Sequence, residues 1–223
     1  MTYWLLLNGA LLLGAYLLGA LAPGYWIARG FYGIDLREQG SGSTGATNVL
    51  RSCGKVPAVL VLMIDLFKGT ASVLLIYRVY ALPWTQTLAA SASIHPEIWA
   101  NWIATLAGLT ALIGHTKSIW IGFKGGKAVA TGLGVLFGLN WILALATLGI
   151  FLLMLGISRI VSLSSLVAAL GIVGLMVLGG QPLPYQVFAI AAAIYIFWRH
   201  QANIERLLKG AEPKIGQKLQ GEA

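Results

Sequence analysis

Residues 128–157 read AVATGLGVLFGLNWILALATLGIFLLMLGI and contain no charged side chain. A transmembrane helix needs about 20 apolar residues to cross a hydrocarbon core about 30 Å thick. The stretch is too long for one untilted helix, and it is interrupted near Gly138-Leu-Asn140. The number of times that this stretch crosses the membrane therefore decides the topology of the whole chain.

Composition identifies the class of protein to which the stretch belongs. Of the 223 residues, 58% are hydrophobic and 10% are charged, whereas a soluble domain has roughly 25% charged residues. We therefore expect an integral membrane protein in which residues 1–223 form one membrane-embedded domain. The net charge of +8 is explained by basic loops rather than by nucleic-acid binding. The single Cys53 excludes an internal disulfide framework and a Cys-rich metal site.

The positions of lysine and arginine predict how the apolar segments are arranged. Besides the central stretch, such segments lie at 3–28, 56–80, 98–114, 160–179 and 185–198. Thirteen of the fifteen Lys and Arg residues lie between these segments or at their ends, and only Lys68 and Arg78 stand apart. The positive-inside rule makes the side with the thirteen cations cytoplasmic. An even number of crossings must then separate successive basic segments, so residues 128–157 form a hairpin of two short helices.

The predicted fold is an all-α integral membrane protein, a seven-helix bundle with short helices in the middle. Its N-terminus lies outside and its C-terminus is cytoplasmic. The first apolar segment is retained rather than cleaved as a signal peptide, and residues 81–97 form an outer interfacial connection. Residues 205–223 are expected to be a cytoplasmic helix end and tail. Three polar clusters then share the cytoplasmic face.

The first polar cluster, residues 40–51 (GSGSTGATNVLR), has the composition of an anion site. Glycines permit the tight turns that aim backbone N–H groups at an anion, and the Ser and Thr hydroxyls add donors. Asn48 and Arg51 are three residues apart and share one face of the helix expected there. A flexible linker is the alternative, but a linker does not need the Ala-Thr-Asn-x-x-Arg ending.

The second polar cluster, residues 114–134 (GHTKSIWIGFKGGKAVATGLG), is not a P-loop. That motif needs glycine where Ile121 stands and Ser or Thr where Ala128 stands. The Gly125-Gly126 pair instead precedes a helix N-terminus and is flanked by two lysines. The helix dipole and unpaired N–H groups favour an anion at such a place. The alternative is a lysine pair that marks the membrane boundary.

The third polar cluster, residues 200–212 (HQANIERLLKGAE), is expected to be helical, with His200, Asn203 and Arg206 at successive i, i+3 positions. A further pair, Asp65 and Lys68, lies inside the second apolar segment. Charged residues in a span are costly and are usually functional or paired. For this pair a salt bridge that braces the bundle and a role near the site are both open.

In order and spacing, these clusters resemble the motifs of the bacterial acyl-phosphate:glycerol-3-phosphate acyltransferase family. The motif Gly-Ser-Gly-Asn-x-Gly-Ala-Thr-Asn-x-x-Arg is matched over residues 40–51, with Ser43 in place of Asn. Gly-His-x-x-Pro followed by Phe-Lys-Gly-Gly-Lys-Gly-Val-Ala-Thr is matched with Ser118 for Pro and Ala128 for Gly. His-x-x-Asn-Ile-x-Arg-Leu-x-x-Gly-x-Glu is matched over residues 200–212, and Asp65-x-x-Lys68-Gly69 is also similar to the family.

The resemblance implies transfer of a fatty acyl group from acyl phosphate to the 1-hydroxyl of glycerol 3-phosphate. The products are lysophosphatidic acid and phosphate, in the first step of phospholipid synthesis. It implies a multi-pass protein of the bacterial plasma (inner) membrane, with the active site facing the cytoplasm and in contact with membrane lipid. No cofactor and no metal is implied, and a soluble acyl-phosphate synthase is the implied supplier of the donor.

The resemblance also implies the residues of the site. The catalytic residues would be Ser41, Arg51, His115, Lys124, His200 and Asn203. The other substrate-binding residues would be Ser43, Gly45, Thr47, Asn48, Gly125, Gly126, Lys127 and Arg206. Glycerol 3-phosphate would be held by Ser41, Arg51, Lys124, His200 and Asn203. The acyl-phosphate headgroup would lie on Thr47, Asn48 and the backbone of 125–127, with the acyl chain in an apolar groove open to the cytoplasmic leaflet.

Two questions stay open at the level of sequence. The base that accepts the hydroxyl proton is His200, His115 or the phosphate of the substrate itself. A transporter or channel for a phosphorylated metabolite would also have basic clusters at helix ends and charges within a span. Transporters, however, usually place their site at the midplane between inverted repeats, and here no repeat is evident. A structural scaffold would leave the three clusters unexplained.

Overall fold

The computed structural model describes residues 1–217, so the last part of the predicted tail, residues 218–223, lies outside the described residues. The described part consists of eleven α-helices. They are α1 (Thr2–Ala20), α2 (Pro23–Tyr32), α3 (Ala46–Cys53), α4 (Lys55–Tyr80), α5 (Pro83–Ser91), α6 (Pro96–Thr116), α7 (Val129–Leu139), α8 (Trp141–Ser158), α9 (Val161–Leu178), α10 (Leu183–Arg199) and α11 (Gln201–Leu208). The longest connections lie between α2 and α3 and between α6 and α7. A short 3-10 turn, Ile119–Ile121, precedes α7.

The all-helical, membrane-spanning character predicted from the composition is confirmed. Within residues 1–217, four segments are long and apolar enough to cross a membrane: 2–32, α4, α8 and α9. Helices α7 and α10 are apolar but shorter than a usual span. The predicted bundle of seven membrane-crossing helices and the orientation of the termini stay predictions, because the eleven α-helices of residues 1–217 include short ones of 8 to 10 residues such as α2, α3, α5 and α11.

The central stretch divides where the sequence predicted. Helix α7 ends at Leu139 and α8 begins at Trp141, because Asn140 caps the second helix. The Asn140 Oδ1 accepts hydrogen bonds from the N–H groups of Ile142 and Leu143, both at 3.1 Å. Asparagine is among the best N-cap residues because it satisfies N–H groups that have no partner within the helix. The two helices pack against each other, as a hairpin requires.

The first apolar segment is not the single continuous helix that the sequence suggested. It breaks between α1 and α2 at Leu21 and Ala22, where the backbone is extended or irregular. Pro23 begins α2, and a proline both lacks an N–H group and disfavours helical geometry in the residue before it. The interfacial connection 81–97 likewise contains a helix, α5.

Close backbone contacts between helices fix the position of α7. Helix α6 lies in the middle of the bundle against α1, α4 and α10, while α7 packs along α4. Gly69 of α4 faces the carbonyl of Thr131, and Gly134 of α7 faces the carbonyl of Leu66, with no room for a Cβ at either glycine. The start of α7, which carries the second polar cluster, is therefore held tightly against α4.

Candidate active site

A cavity of about 400 Å³ lies where the three polar clusters meet. Its walls come from α3 and the loop before it, α4, the ends of α6 and α10, the start of α7, and α8, α9 and α11. The predicted site residues on its wall are Ser41, Ser43, Gly45, Thr47, Asn48, Arg51, His115, Lys127, His200 and Asn203. Four other predicted residues do not line it, namely Lys124, Gly125, Gly126 and Arg206. Among residues 1–217, no three His, Cys, Asp or Glu side chains are grouped to hold a metal ion.

The first cluster is built around the buried side chain of Asn48. Its Nδ2 donates to the carbonyls of Gln39 and Ser43, both at 2.9 Å, and its Oδ1 accepts from the N–H of Ser41 at 3.2 Å. Asn48 thus uses its hydrogen-bonding groups to fold the loop over the start of α3. Buried polar groups need such partners, so the loop geometry depends on this residue.

Helix α3 brings the cationic residue of the first cluster to the cavity. It begins at Ala46 after the N-cap residue Gly45. Thr47 and Arg51 are one turn apart on this helix and both line the cavity. The positive charge of Arg51 is near enough to contribute to lowering the pKa of Lys127, which also lines the cavity.

The Gly125-Gly126 pair of the second cluster packs against His115 rather than lining the cavity. A Cβ on Gly126 would overlap the His115 ring, and one on Gly125 would overlap the His115 carbonyl. The Gly126 N–H donates to that carbonyl at 3.3 Å, so it is already bonded within the protein. Helix α7 starts only at Val129, three residues beyond the pair. The predicted phosphate-binding roles of the two glycines stay predictions.

Of the two lysines that flank the glycine pair, Lys127 reaches the cavity. Its Nζ donates to the Oδ1 of Asn203 at 2.6 Å. Burial lowers the pKa of Lys127 to about 8, with Arg206 and Arg51 acting in the same direction and Glu212 opposing them. Lys124 is exposed and pairs through its backbone with Ser118, so its predicted catalytic role also stays a prediction.

His200 presents one ring nitrogen to the cavity in a defined tautomer. Its Nδ1 lies 2.7 Å from the carbonyl of Ile196, which can only accept, so Nδ1 carries the proton and Nε2 holds the lone pair in the neutral ring. Burial, together with the positive charge of Lys127, lowers the pKa of His200 to about 4. The imidazole is therefore neutral at physiological pH.

Glu212 is a cavity residue that was not among the predicted site residues. Its Oε1 accepts from Ser162 at 2.7 Å and from Asn203 at 2.6 Å, and its Oε2 accepts from Arg206 at 2.7 Å. These bonds hold the pKa of the carboxyl group low against the opposing effect of burial. The helix predicted over 200–212 ends at Leu208, so Glu212 reaches the cavity from the non-helical segment that follows. Its place in the third motif was the signal that could have identified it.

The cavity has an open apolar side. Leu62 and Met63 of α4 and Leu152 of α8 line it, yet they are 42%, 57% and 54% exposed. The cavity is therefore open laterally between α4 and α8. A smaller apolar pocket of about 60 Å³, lined by α7, α8, α9 and α10, shares Leu133 and Phe151 with it.

Comparison with known proteins gives a consistent result. The family model for glycerol-3-phosphate acyltransferase matches residues 9–210. The chain is 56% identical over its full length to a glycerol-3-phosphate acyltransferase of Trichodesmium erythraeum (strain IMS101), covering 98% of that protein. It is 51% identical over 219 residues to one from Nostoc sp., covering 98% of this chain and 96% of the relative.

Two solved structures share the fold. Both are crystal structures of PlsY (YgiH), described as an integral membrane glycerol 3-phosphate acyltransferase. Its glycerol 3-phosphate form has a TM-score of 0.80 and 36% identity, with 94% of this chain and 96% of that chain covered. Its lysophosphatidic acid form has a TM-score of 0.77 and 34% identity, with coverage of 94% and 95%.

Proposed function

The chain belongs to the glycerol-3-phosphate acyltransferase family, and on that premise we propose that it transfers a fatty acyl group from acyl phosphate to the 1-hydroxyl of glycerol 3-phosphate. The products are lysophosphatidic acid and inorganic phosphate. The observation that carries this proposal is the division of one cavity into a cationic end and an open apolar side. An acyl phosphate has the same division, with an anionic head and a hydrocarbon tail.

Two basic side chains in the cavity wall match two phosphate-bearing substrates. Arg51 lies on the α3 wall and Lys127 lies before α7. We assign glycerol 3-phosphate to Ser41, Arg51, His200 and Asn203, and the acyl-phosphate head to Thr47 and Lys127. Because the amide of Asn48 is bonded to the loop, we assign it to shaping the first cluster rather than to binding. Lys124 remains a candidate for recruiting the anionic substrates at the surface.

The reaction needs positioning and charge stabilisation more than a covalent intermediate. The 1-hydroxyl oxygen forms a bond to the acyl carbonyl carbon, the bond from that carbon to the phosphate oxygen breaks, and phosphate departs. Since the donor is a mixed anhydride, its leaving group is already good. The cationic wall would stabilise the charge that develops on the carbonyl and phosphate oxygens.

His200 is suited to orienting the hydroxyl rather than to keeping its proton. The lone pair on Nε2 can accept the hydrogen bond of the 1-hydroxyl. A pKa near 4 makes the ring a weak base, since a general base works best when its pKa is near the operating pH. The departing phosphate of the donor is the stronger proton acceptor, so we assign the proton to it. His115 also lines the cavity, but its ring contacts Asp65 and the Gly126 backbone, so we do not assign the proton to it.

The membrane arrangement follows the same proposal. We place the protein in the bacterial inner membrane with the cavity at the cytoplasmic face, crossing seven times with the N-terminus outside. The open side between α4 and α8 would admit the acyl chain from the adjacent leaflet. A soluble acyl-phosphate synthase would supply the donor, with a functional link that requires no contact between the two proteins.

The test is an assay of the purified protein in detergent with radiolabelled glycerol 3-phosphate. Acyl phosphate, acyl-coenzyme A and acyl carrier protein thioester are supplied separately. Lysophosphatidic acid formed with acyl phosphate alone supports the proposal, whereas a preference for a thioester overturns the assigned donor. Product formed without a sealed compartment excludes pure transport.

The matched variants in this assay are Arg51→Ala and Arg51→Lys. Loss of one charged contact to a phosphate costs on the order of 100-fold in rate, so we expect Arg51→Ala to be nearly inactive and Arg51→Lys to recover part of the activity. Near-normal turnover of Arg51→Ala would overturn the assignment of the site.

A further inference from the structure

The charged pair in the second long span is buried at the edge of the cavity. Lys68 Nζ lies 2.8 Å from Asp65 Oδ1, and both side chains are only 2% exposed. Asp65 also lines the cavity, whereas Lys68 does not. A buried ion pair is weak evidence for stability by itself, because desolvation offsets much of the attraction. Stabilisation of the bundle alone therefore does not explain the pair.

Lys68 ties α4 to the break in the first span. Its Nζ donates to the carbonyl of Leu21 at 2.6 Å. Leu21 is the C-cap residue that follows α1, and carbonyls at a helix end have no partner within the helix. Lys68 thus has two fixed partners, and Asp65 is its counter-ion.

Asp65 faces a second group, the ring of His115. The Oδ1 of Asp65 lies 3.4 Å from the Nδ1 of His115, slightly beyond the usual N···O distance of a hydrogen bond. A shift of roughly 0.5 Å would bring the two atoms into hydrogen-bonding range. The opposite edge of the same ring packs against Gly126, one residue before Lys127.

We propose that Asp65 is a positioning residue for acyl transfer: through His115 it sets the 125–127 turn and so places Lys127 against the acyl-phosphate head. Lys68 holds Asp65 in place and caps α1. The inference rests on the function proposed above. It also explains why glycine is needed at 126, since any side chain there would displace the ring on which the turn rests.

The first test reads His115 directly and does not depend on activity. The chain has three histidines, His95, His115 and His200, so protein with 15N-labelled histidine gives three sets of ring signals. We expect Asp65→Asn to shift the ring-nitrogen signals of His115 and to leave those of His95 unchanged. Unchanged His115 signals would overturn the positioning role even if the enzyme transfers acyl groups as proposed.

The second test separates positioning from bracing. We expect Asp65→Asn to raise the KM for acyl phosphate on the order of 10- to 100-fold, with little change in the KM for glycerol 3-phosphate. In an Asp65→Asn/Lys68→Met variant no unpaired charge remains buried, so Tm should exceed that of Asp65→Asn. The KM for acyl phosphate should stay high. If both Tm and the KM for acyl phosphate returned towards the wild-type values in the double variant, the pair would serve only to stabilise the bundle.

The control is Tyr77→Phe on the same helix. The Tyr77 hydroxyl bonds to Tyr185 at 2.6 Å and to Asn101 at 3.2 Å, away from the cavity. Its loss should lower Tm and leave both KM values unchanged. A double-mutant cycle of Asp65→Asn with His115→Asn completes the test, because additive losses in kcat/KM would mean that Asp65 does not act through His115.

Discussion

At the scale of single residues, the second polar cluster shows how one pattern can serve two purposes. Two glycines before a helix predict exposed N–H groups, yet here they allow a histidine ring and its carbonyl to approach the backbone. The contact joins residues from the end of α6 and the start of α7, so it depends on the packing of the bundle. Sequence could predict that glycine was needed at these positions but not what it was needed for.

The residue-scale prediction concerns the charge of Lys127. Burial lowers its pKa to about 8. The side chain therefore carries a positive charge below that pH and loses this charge above it. If the charge holds the donor, kcat/KM for acyl phosphate should fall as pH rises through about 8, since this parameter reports on the free enzyme. A pH profile of initial rates, corrected for spontaneous donor hydrolysis, measures this.

Arginine keeps its charge throughout that range, so Lys127→Arg should lose the alkaline fall even if its overall rate is lower. Lys124→Arg is the matched variant, and it should retain the fall because Lys124 is exposed. If kcat/KM for acyl phosphate still fell at alkaline pH in Lys127→Arg, a group other than Lys127 would be responsible.

At the scale of helices, the close contact of α4 and α7 positions the part of the cavity wall that includes Lys127. Gly134 faces the Leu66 carbonyl without room for a methyl group. We expect Gly134→Ala to force the helices apart at a cost of about 1–3 kcal/mol, despite the higher helix propensity of alanine. Thermal unfolding in detergent should show a lower Tm, and acyl transfer should fall because α7 follows directly after Lys127.

Gly149 of α8 provides the control, because a Cβ there would meet nothing within 4 Å. Gly149→Ala should leave Tm unchanged or raise it by an amount consistent with up to about 1 kcal/mol. Equal losses in the two variants would show that alanine is harmful in any of these helices and that the α4–α7 contact has no special role.

The helices also show which local signals can be interpreted without a structure. The break at Asn140 was predictable because residues 128–157 are too long for one span and charge parity demands two helices. The break before Pro23 was missed, although the proline was a visible signal, because prolines are tolerated in transmembrane helices when the freed backbone groups find partners. Here that partner for Leu21 is Lys68, 47 residues away.

The grouping of the candidate site residues was predictable to a similar degree. Arg51, Lys127, His200 and Asn203 were found from the motifs and do meet at one cavity. Glu212 was missed as a site residue because its role depends on a segment that folds back after α11 ends. Such a return depends on tertiary contacts with Ser162, Asn203 and Arg206, and no local pattern predicts it.

At the scale of the whole molecule, the predicted topology can be tested with single cysteines. Cys53 is the only native cysteine, so a Cys53→Ser background accepts one new thiol at a time. Thr87 of α5 and Lys209 after α11 are both exposed. In spheroplasts, a membrane-impermeant maleimide should label Thr87→Cys at once and Lys209→Cys only after lysis. The opposite pattern would reverse the assigned orientation.

The lateral opening between α4 and α8 bears on which measure of donor concentration sets the rate of the enzyme. If the donor enters and the product leaves through a gap walled by Leu62 and Leu152, neither lipid passes through water. The encounter is then two-dimensional, and its frequency follows the number of donor molecules per unit area of membrane rather than per unit volume of cell. Membrane expansion without new donor would slow the enzyme, so the growth of the bilayer itself would restrain the first step of its synthesis.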